Sequence, residues 1–182
     1  MNVIPLEIEG IKILEPNIFE DQRGCFLESF NQRNFSELIQ FAGMLVQDNL
    51  SVSSHGVVRG LHYQKNPMAQ GKLIHVISGE IFDVVVDLRR NSSSFGKHVS
   101  VVLSDANRRQ LWVPPGFAHG FMVLSSIAHV AYKVSEYYSP AHERCILWND
   151  EDLKINWPGK VEPILSDKDK NGQYFRFAEC FL

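Results

Sequence analysis

The stretch Trp112-Val113-Pro114-Pro115-Gly116-Phe117-Ala118-His119-Gly120-Phe121 decides how this chain is read. An apolar pair runs into two prolines and a glycine, which mark a fixed turn. The chain then re-enters an apolar strand that carries a lone histidine. Outward from this point the same grammar repeats. Candidate strands are Ile11–Leu14, Cys25–Phe30, Val46–Ser53, Val57–Gln64, Lys72–Ser78, Glu80–Leu88, His98–Leu103, Gln110–Val113, Phe121–Leu124 and His129–Ser135. Between them sit EDQRG, KNPMAQG, NSSSFG, SDANR and PPG. Many short strands with Gly, Asn, Ser and Pro between them predict a sandwich or barrel. One helix is expected, capped by Asn34, with Glu37 three residues on and Gly43 as its stop. The segment from Ala141 to Trp157 is open between short helical turns and loops.

The spacing Pro114-x-Gly116-x-x-His119 matches the second sequence motif of cupin barrels. The first such motif supplies an HxH pair and a Glu as metal ligands, whereas the nearest counterpart here is Leu61-His62-Tyr63. Zinc and iron sites need at least three well-placed protein ligands. A barrel that keeps the pocket and lacks the metal is therefore expected.

Several residues could carry chemistry, each with a plainer alternative. On a regular strand His62 shares a face with Gln64, and Arg59 points the other way. Both serve one pocket only if the strand bulges near Gly60. A half-buried histidine bonded to a backbone carbonyl is the plainer reading of His62. Lys72 opens a strand after a glycine-containing loop; it is a surface charge or, in a pocket, a stabiliser of a developing oxyanion. Tyr132, on the face of Val130 and Val134, is a core tyrosine or a proton donor. Gln47, Asn49 and Ser51 share one strand face, open between an outer polar face and a pocket wall. Arg23 and Arg59 could hold phosphates through bidentate hydrogen bonds, or be exposed only. Asp167, Lys168 and Asp169 read most simply as a solvated turn.

Composition bounds the rest. The 182 residues (20.8 kDa) suit one domain, 45% of them are hydrophobic and 21% charged, and no repeat or linker divides them. A net charge of −3 and a pI of about 6.2 argue against a nucleic-acid-coating surface. They do not forbid a small anion held by a few local cations. Cys25, Cys145 and Cys180 are odd in number and far apart, so reduced thiols in the cytoplasm are expected. Pro5, Glu7 and Glu9 stand where a signal peptide would need an apolar core, and no run approaches the ~18 apolar residues of a membrane span.

Eight motifs then fall in one order: DQRG at 21–24, QDN at 47–49, RGLHYQ at 59–64, QGKL at 70–73, WVPPGFAHGF at 112–121, Tyr132-Lys133, YSPAHE at 138–143 and SDKD at 166–169. In these the chain resembles the dTDP-4-dehydrorhamnose 3,5-epimerase family, from about residue 3 to about residue 175. The resemblance implies an all-β, cupin-like jelly-roll barrel with few short helices, a single domain over residues 1–182, and a cytoplasmic homodimer without metal or cofactor. It implies inversion of C3 and C5 of dTDP-4-dehydro-6-deoxy-glucose. His62 would be the general base, oriented by Asp169, and Tyr132 the general acid on the opposite face of the sugar. Lys72 would stabilise the enolate at the C4 oxygen. His119 and Arg59 would line the sugar and diphosphate. Arg23, Glu28, Gln47, Asn49, Glu143 and Lys168 would bind the nucleotide. Tyr138 would stack on thymine, with Phe19 from a partner subunit.

Other readings share these motifs. A dTDP-sugar 3-epimerase would keep the same His, Lys and Asp. A non-enzymatic nucleotide-sugar-binding cupin would hold them by coincidence, and a metal-dependent cupin enzyme would need a stoichiometric transition metal.

Overall fold

The computed structural model describes residues 1–159 and 162–182. Among the described residues, strands β1 (Asn2–Pro5), β2 (Lys12–Glu15), β3 (Ile18–Asp21) and β4 (Gly24–Leu27) precede helix α1 (Gln32–Ile39). Then come β5 (Gln47–Ser54), β6 (Val58–Gln64), β7 (Lys72–Ser78), β8 (Glu80–Asp87), β9 (His98–Ser104), β10 (Gln110–Val113), β11 (Phe117–Val123), β12 (Ile127–Val134) and β13 (Glu143–Cys145). Helix α2 (Asp167–Lys170) and a single 3₁₀ turn lie near the C-terminus.

Strands β5 to β12 pair as nested antiparallel partners: β5 with β12, β6 with β11, β7 with β10 and β8 with β9. The outcome is two sheets, ordered β1-β2-β10-β7-β12-β5 and β13-β6-β11-β8-β9. This nesting is the connectivity of a jelly roll, as the resemblance implies. Period-two alternation points one side chain set of each sheet into the space between them. There Ile74, Val76, Leu111 and Val130 meet Ile81, Val85, Phe117 and Val123 in the main core.

The run Glu80-Ile-Phe-Asp-Val-Val-Val-Asp87 is apolar on both faces because β8 is covered on both faces. Ile81 and Val85 face the main core. Val84 and Val86 pack under the C-terminal segment with Leu153 and Ala178. Helix α1 covers the outside of the other sheet, with Phe35 and Ile39 against Leu14, Leu73 and Trp112.

Some boundaries differ from the sequence reading. The helix is capped by Asn31, whose side chain accepts from the backbone of Arg33 and Asn34, and it ends at Gln40 in a left-handed conformation. Asn34 is thus inside the helix. An Asn three positions earlier does the same capping chemistry, and Gly43 is not needed as the stop. The strand expected from Cys25 to Phe30 is the shorter β4 and forms a hairpin with β3. Strand β11 starts at Phe117, directly after the turn. No helix among the described residues is long and apolar enough to cross a membrane.

Candidate active site

A cleft opens between the two sheets at one end of the main core. Its principal cavity, about 290 Å³, is walled by Arg59, His62, His119 and Phe121 from one sheet and by Lys72, Val130 and Tyr132 from the other. Ser51, Tyr138, Glu143 and Lys168 complete the wall. A second lobe adds Gln47, Asn49, Gln64 and Gln70, and shares His62, Lys72 and Tyr132.

Strand register explains how Arg59 and His62, three residues apart, reach one cavity. His119 pairs with His62 and Phe121 with Arg59, so β6 carries one extra residue between them. Directly opposed residues share a face of the sheet. The bulge at Gly60 and Leu61 therefore turns both His62 and Arg59 inward, as the sequence reading required. Gly60 has φ +126, and a Cβ there would stand 2.5 Å from Cα of Gly120 and 2.8 Å from the His119 carbonyl oxygen. Only glycine fits that crossing. On β5, Asn49 opposes Tyr132 and Ser51 opposes Val130, which puts the Gln47-Asn49-Ser51 row on the cavity side.

His62 Nε2 lies 2.6 Å from Asp169 Oδ1. This nitrogen is buried and has no aligned hydrogen bond, so the contact is electrostatic at short range. Burial lowers the His62 pKa from its ordinary value, and Asp169 partly opposes that shift. Asp169 belongs to a short helix, not a solvated turn. Ser166 caps that helix by accepting from the Asp169 backbone, and its hydroxyl donates to Asp169 Oδ2 at 2.6 Å. The Gly60 N–H donates to Oδ1 at 3.2 Å. Burial resists ionisation of Asp169, yet these donors and His62 outweigh it and bring the pKa down to about 2.

Lys72 is buried, contrary to the surface alternative. Its ammonium donates to the His62 carbonyl at 3.1 Å. Burial pulls its pKa down to about 8, against the pull of Asp83 and Glu143. Asp83 escaped the sequence reading. It is fully buried on β8 and accepts from His119 Nε2 at 2.9–3.0 Å. Burial raises its pKa, opposed first by His119. The signal was present, since an Asp inside an apolar strand buried on both faces needs a partner. Tyr132 stands on the wall opposite His62, and burial raises its phenol pKa.

Around the rim, Arg59 Nε donates to Ser53 Oγ at 3.0 Å. Lys168 pairs with Glu143 at 2.7 Å, and the Tyr138 hydroxyl donates to the same carboxylate at 2.9 Å. Gln47 accepts from the Tyr138 backbone and donates to Asn49. Phe19, Arg23 and Glu28 do not line this cavity. Phe19 and Arg23 belong to the exposed β3–β4 hairpin, where Arg23 pairs with Asp21, and Glu28 accepts from Asn31 and Asn34. They lie on an arm before the barrel strands, so strand register cannot carry them to the cleft.

Such a cavity offers a base backed by a carboxylate, a phenol across from it, a buried ammonium and a cationic rim. The family described as dTDP-4-dehydrorhamnose 3,5-epimerase matches residues 5–176. A dTDP-4-dehydrorhamnose 3,5-epimerase of Shigella flexneri is 54% identical over 182 residues, covering 100% of both chains. The crystal structure of a dTDP-6-deoxy-D-glucose-3,5-epimerase from Legionella pneumophila, in complex with dTDP-4-keto-L-rhamnose, superimposes with a TM-score of 0.94. It is 47% identical and covers 97% of this chain and 93% of that one. A 3'-monoepimerase from Streptomyces bikiniensis, in complex with dTDP-quinovose, gives a TM-score of 0.87 at 35% identity, covering 93% of this chain and 86% of that one. Residue register, cleft and comparisons thus converge, and the chain belongs to the dTDP-4-dehydrorhamnose 3,5-epimerase family.

Proposed function

We propose that this chain inverts C3 and C5 of dTDP-4-dehydro-6-deoxy-glucose, giving dTDP-4-dehydro-rhamnose. The observation that carries the reading is the placement of His62 and Tyr132 on opposite walls of one cavity that Lys72 also lines, from the same sheet as Tyr132. A C4 ketone acidifies the hydrogens on C3 and C5. Epimerisation then needs a base on one face of the ring, an acid on the other and a stabiliser for the enolate. His62, with its pKa lowered, is neutral at pH 7 and free to accept a proton. Asp169 stabilises the imidazolium that results. Lys72, itself buried, supplies positive charge where O4 becomes negative. Tyr132, with its pKa raised, stays protonated and donates from the far side. His119, held by Asp83, and Arg59 line the sugar and diphosphate.

The nucleotide lies along the second lobe, held by Gln47, Asn49, Glu143 and Lys168, with Tyr138 against the thymine. The active form is a homodimer of one-domain subunits, cytoplasmic and free of metal or cofactor in its chemistry. Leu50, Val52, Ile77 and Ile127 are exposed on the outer face of one sheet, and Phe19 and Phe26 on the hairpin are 63% and 70% exposed. An apolar surface of this kind supports a second copy packed against it. That copy's hairpin then delivers the partner subunit's Phe19 and, on the same hairpin, the partner subunit's Arg23 to the cleft, with Glu28 beside them.

The reaction run in deuterated water tests the reading. Uptake at both C3 and C5, read by NMR, is expected. Uptake at C3 alone would make the chain a 3-epimerase, and no uptake would leave a binding protein.

A further inference from the structure

Strand β13 pairs with β6 so that Cys145 lies directly opposite His62. The mechanism makes no use of this thiol. Its Sγ is 3.9 Å from Asp169 Oδ1, and the ligand atoms of His62, Cys145 and Asp169 all fall within 4.8 Å of one another. His62 Nε2 is buried and, apart from its 2.6 Å contact with Asp169, has no aligned hydrogen bond. An imidazole, a thiol and a carboxylate form the donor set of zinc-like cations.

We propose that His62, Cys145 and Asp169 form a capture site for a borderline-soft divalent cation, zinc or cadmium, whose occupancy shuts the enzyme off. In tetrahedral zinc sites, bonds of about 2.0–2.3 Å put ligand atoms roughly 3.3–3.7 Å apart. The Cys145–Asp169 separation already approaches that, and the His62–Asp169 contact of 2.6 Å must open by about 0.8 Å. Asp169 is buried and tied by Ser166 and Gly60, which presents its oxygen in a fixed direction. The cation displaces the thiol proton to solvent on binding. A shallow depression lined by Cys145, Arg144, Asn171 and Gln173 gives the thiol a route to solvent, and Glu143 and Lys168 line both it and the main cavity. Metal at this place ties up the base from behind. It removes turnover by engaging His62 and Asp169.

Inhibition rests on the role proposed for His62; the binding site does not, and two readouts separate them. Purified protein is titrated with Cd²⁺ and the cadmium–thiolate absorption followed. Wild type and the C25S/C180S double variant are expected to bind one equivalent with this band, and Cys145→Ser to lack it. His62→Gln should weaken binding at least about tenfold. Zn²⁺ should lower wild-type turnover at least about tenfold at a concentration that leaves Cys145→Ser within twofold of its metal-free rate, and a chelator should restore it. An equal band in Cys145→Ser, or equal inhibition of both proteins, would overturn the proposal. A band without loss of turnover would overturn its inhibitory half. Metal-free wild type with no turnover would count against the proposed reaction, while the band would still report the site.

Discussion

Replacing Lys72 by Met separates the chemistry of that ammonium from its cost to the fold. Burial lowers its pKa from an ordinary 10.5 to about 8. At 1.36 kcal/mol per pH unit, this is ~3 kcal/mol of penalty for holding the charge at pH 7. The unfolded chain keeps this proton up to 10.5, and the folded chain loses it from about 8. The unfolded state therefore binds more protons in that window, and stability rises with pH there. Below pH 8 the penalty is constant. Met fills the same space without charge, and the lost bond to the His62 carbonyl returns roughly 1 kcal/mol of the gain. Lys72→Met should be more stable than wild type by about 2 kcal/mol at pH 7. That gap should close as pH rises from about 8 to 10.5. Turnover should fall about 10²–10³-fold, as for loss of one oxyanion donor. The alkaline fall of kcat/KM near pH 8, expected for wild type, should vanish from what activity remains. Urea unfolding at several pH values, with pH–rate profiles, reads all of this. A stability gap that does not move with pH, or an alkaline limb that survives in Lys72→Met, would refute the reasoning.

Asp169→Asn should slow turnover about 10²-fold or more; because Asp169 raises the His62 pKa against burial, the acid limb of kcat/KM should move to lower pH, and an unmoved limb would contradict the pairing. Gly60→Ala should cost about 2–4 kcal/mol in urea unfolding, from its φ of +126 and the 2.5 Å approach to Gly120; a loss below roughly 0.5 kcal/mol would deny the bulge its role. Phe19→Asp should leave the fold intact, shift size-exclusion elution toward monomer and weaken dTDP binding at least about tenfold, whereas unchanged elution and affinity would remove the hairpin from the site.

Much of this architecture was legible because strand grammar is local. Turn residues bounded most strands to within a few positions, and period-two alternation put Tyr132 on the face of Val130, which proves to be the inner one. The bulge at Gly60 was legible as a condition, since Arg59 and His62 could share a pocket only if it existed. Burial was not legible for Lys72 or Asp169. A charge at a strand end or in an acidic turn is solvated unless another element meets it; here β13 and α2 bring Glu143 and Lys168 to Lys72 from more than 70 residues away in sequence, and β6 meets Asp169 through Gly60, 109 residues away. The Asp83–His119 pair spans 36 residues and depends on the pairing of β8 with β11. Phe19, Arg23 and Glu28 show the limit of reasoning from one chain, because the barrel register does not reach the hairpin that carries two of them.

The central claim is that an imidazole removes hydrogen from carbon on one side and a phenol returns it from the other. Its most direct test compares Tyr132→Phe with His62→Asn in deuterated water, following solvent exchange and inverted product separately. Tyr132→Phe should retain exchange while losing inverted product, and His62→Asn should lose both by ~10²-fold. Equal loss of exchange and inversion in Tyr132→Phe, or undiminished exchange in His62→Asn, would contradict the account.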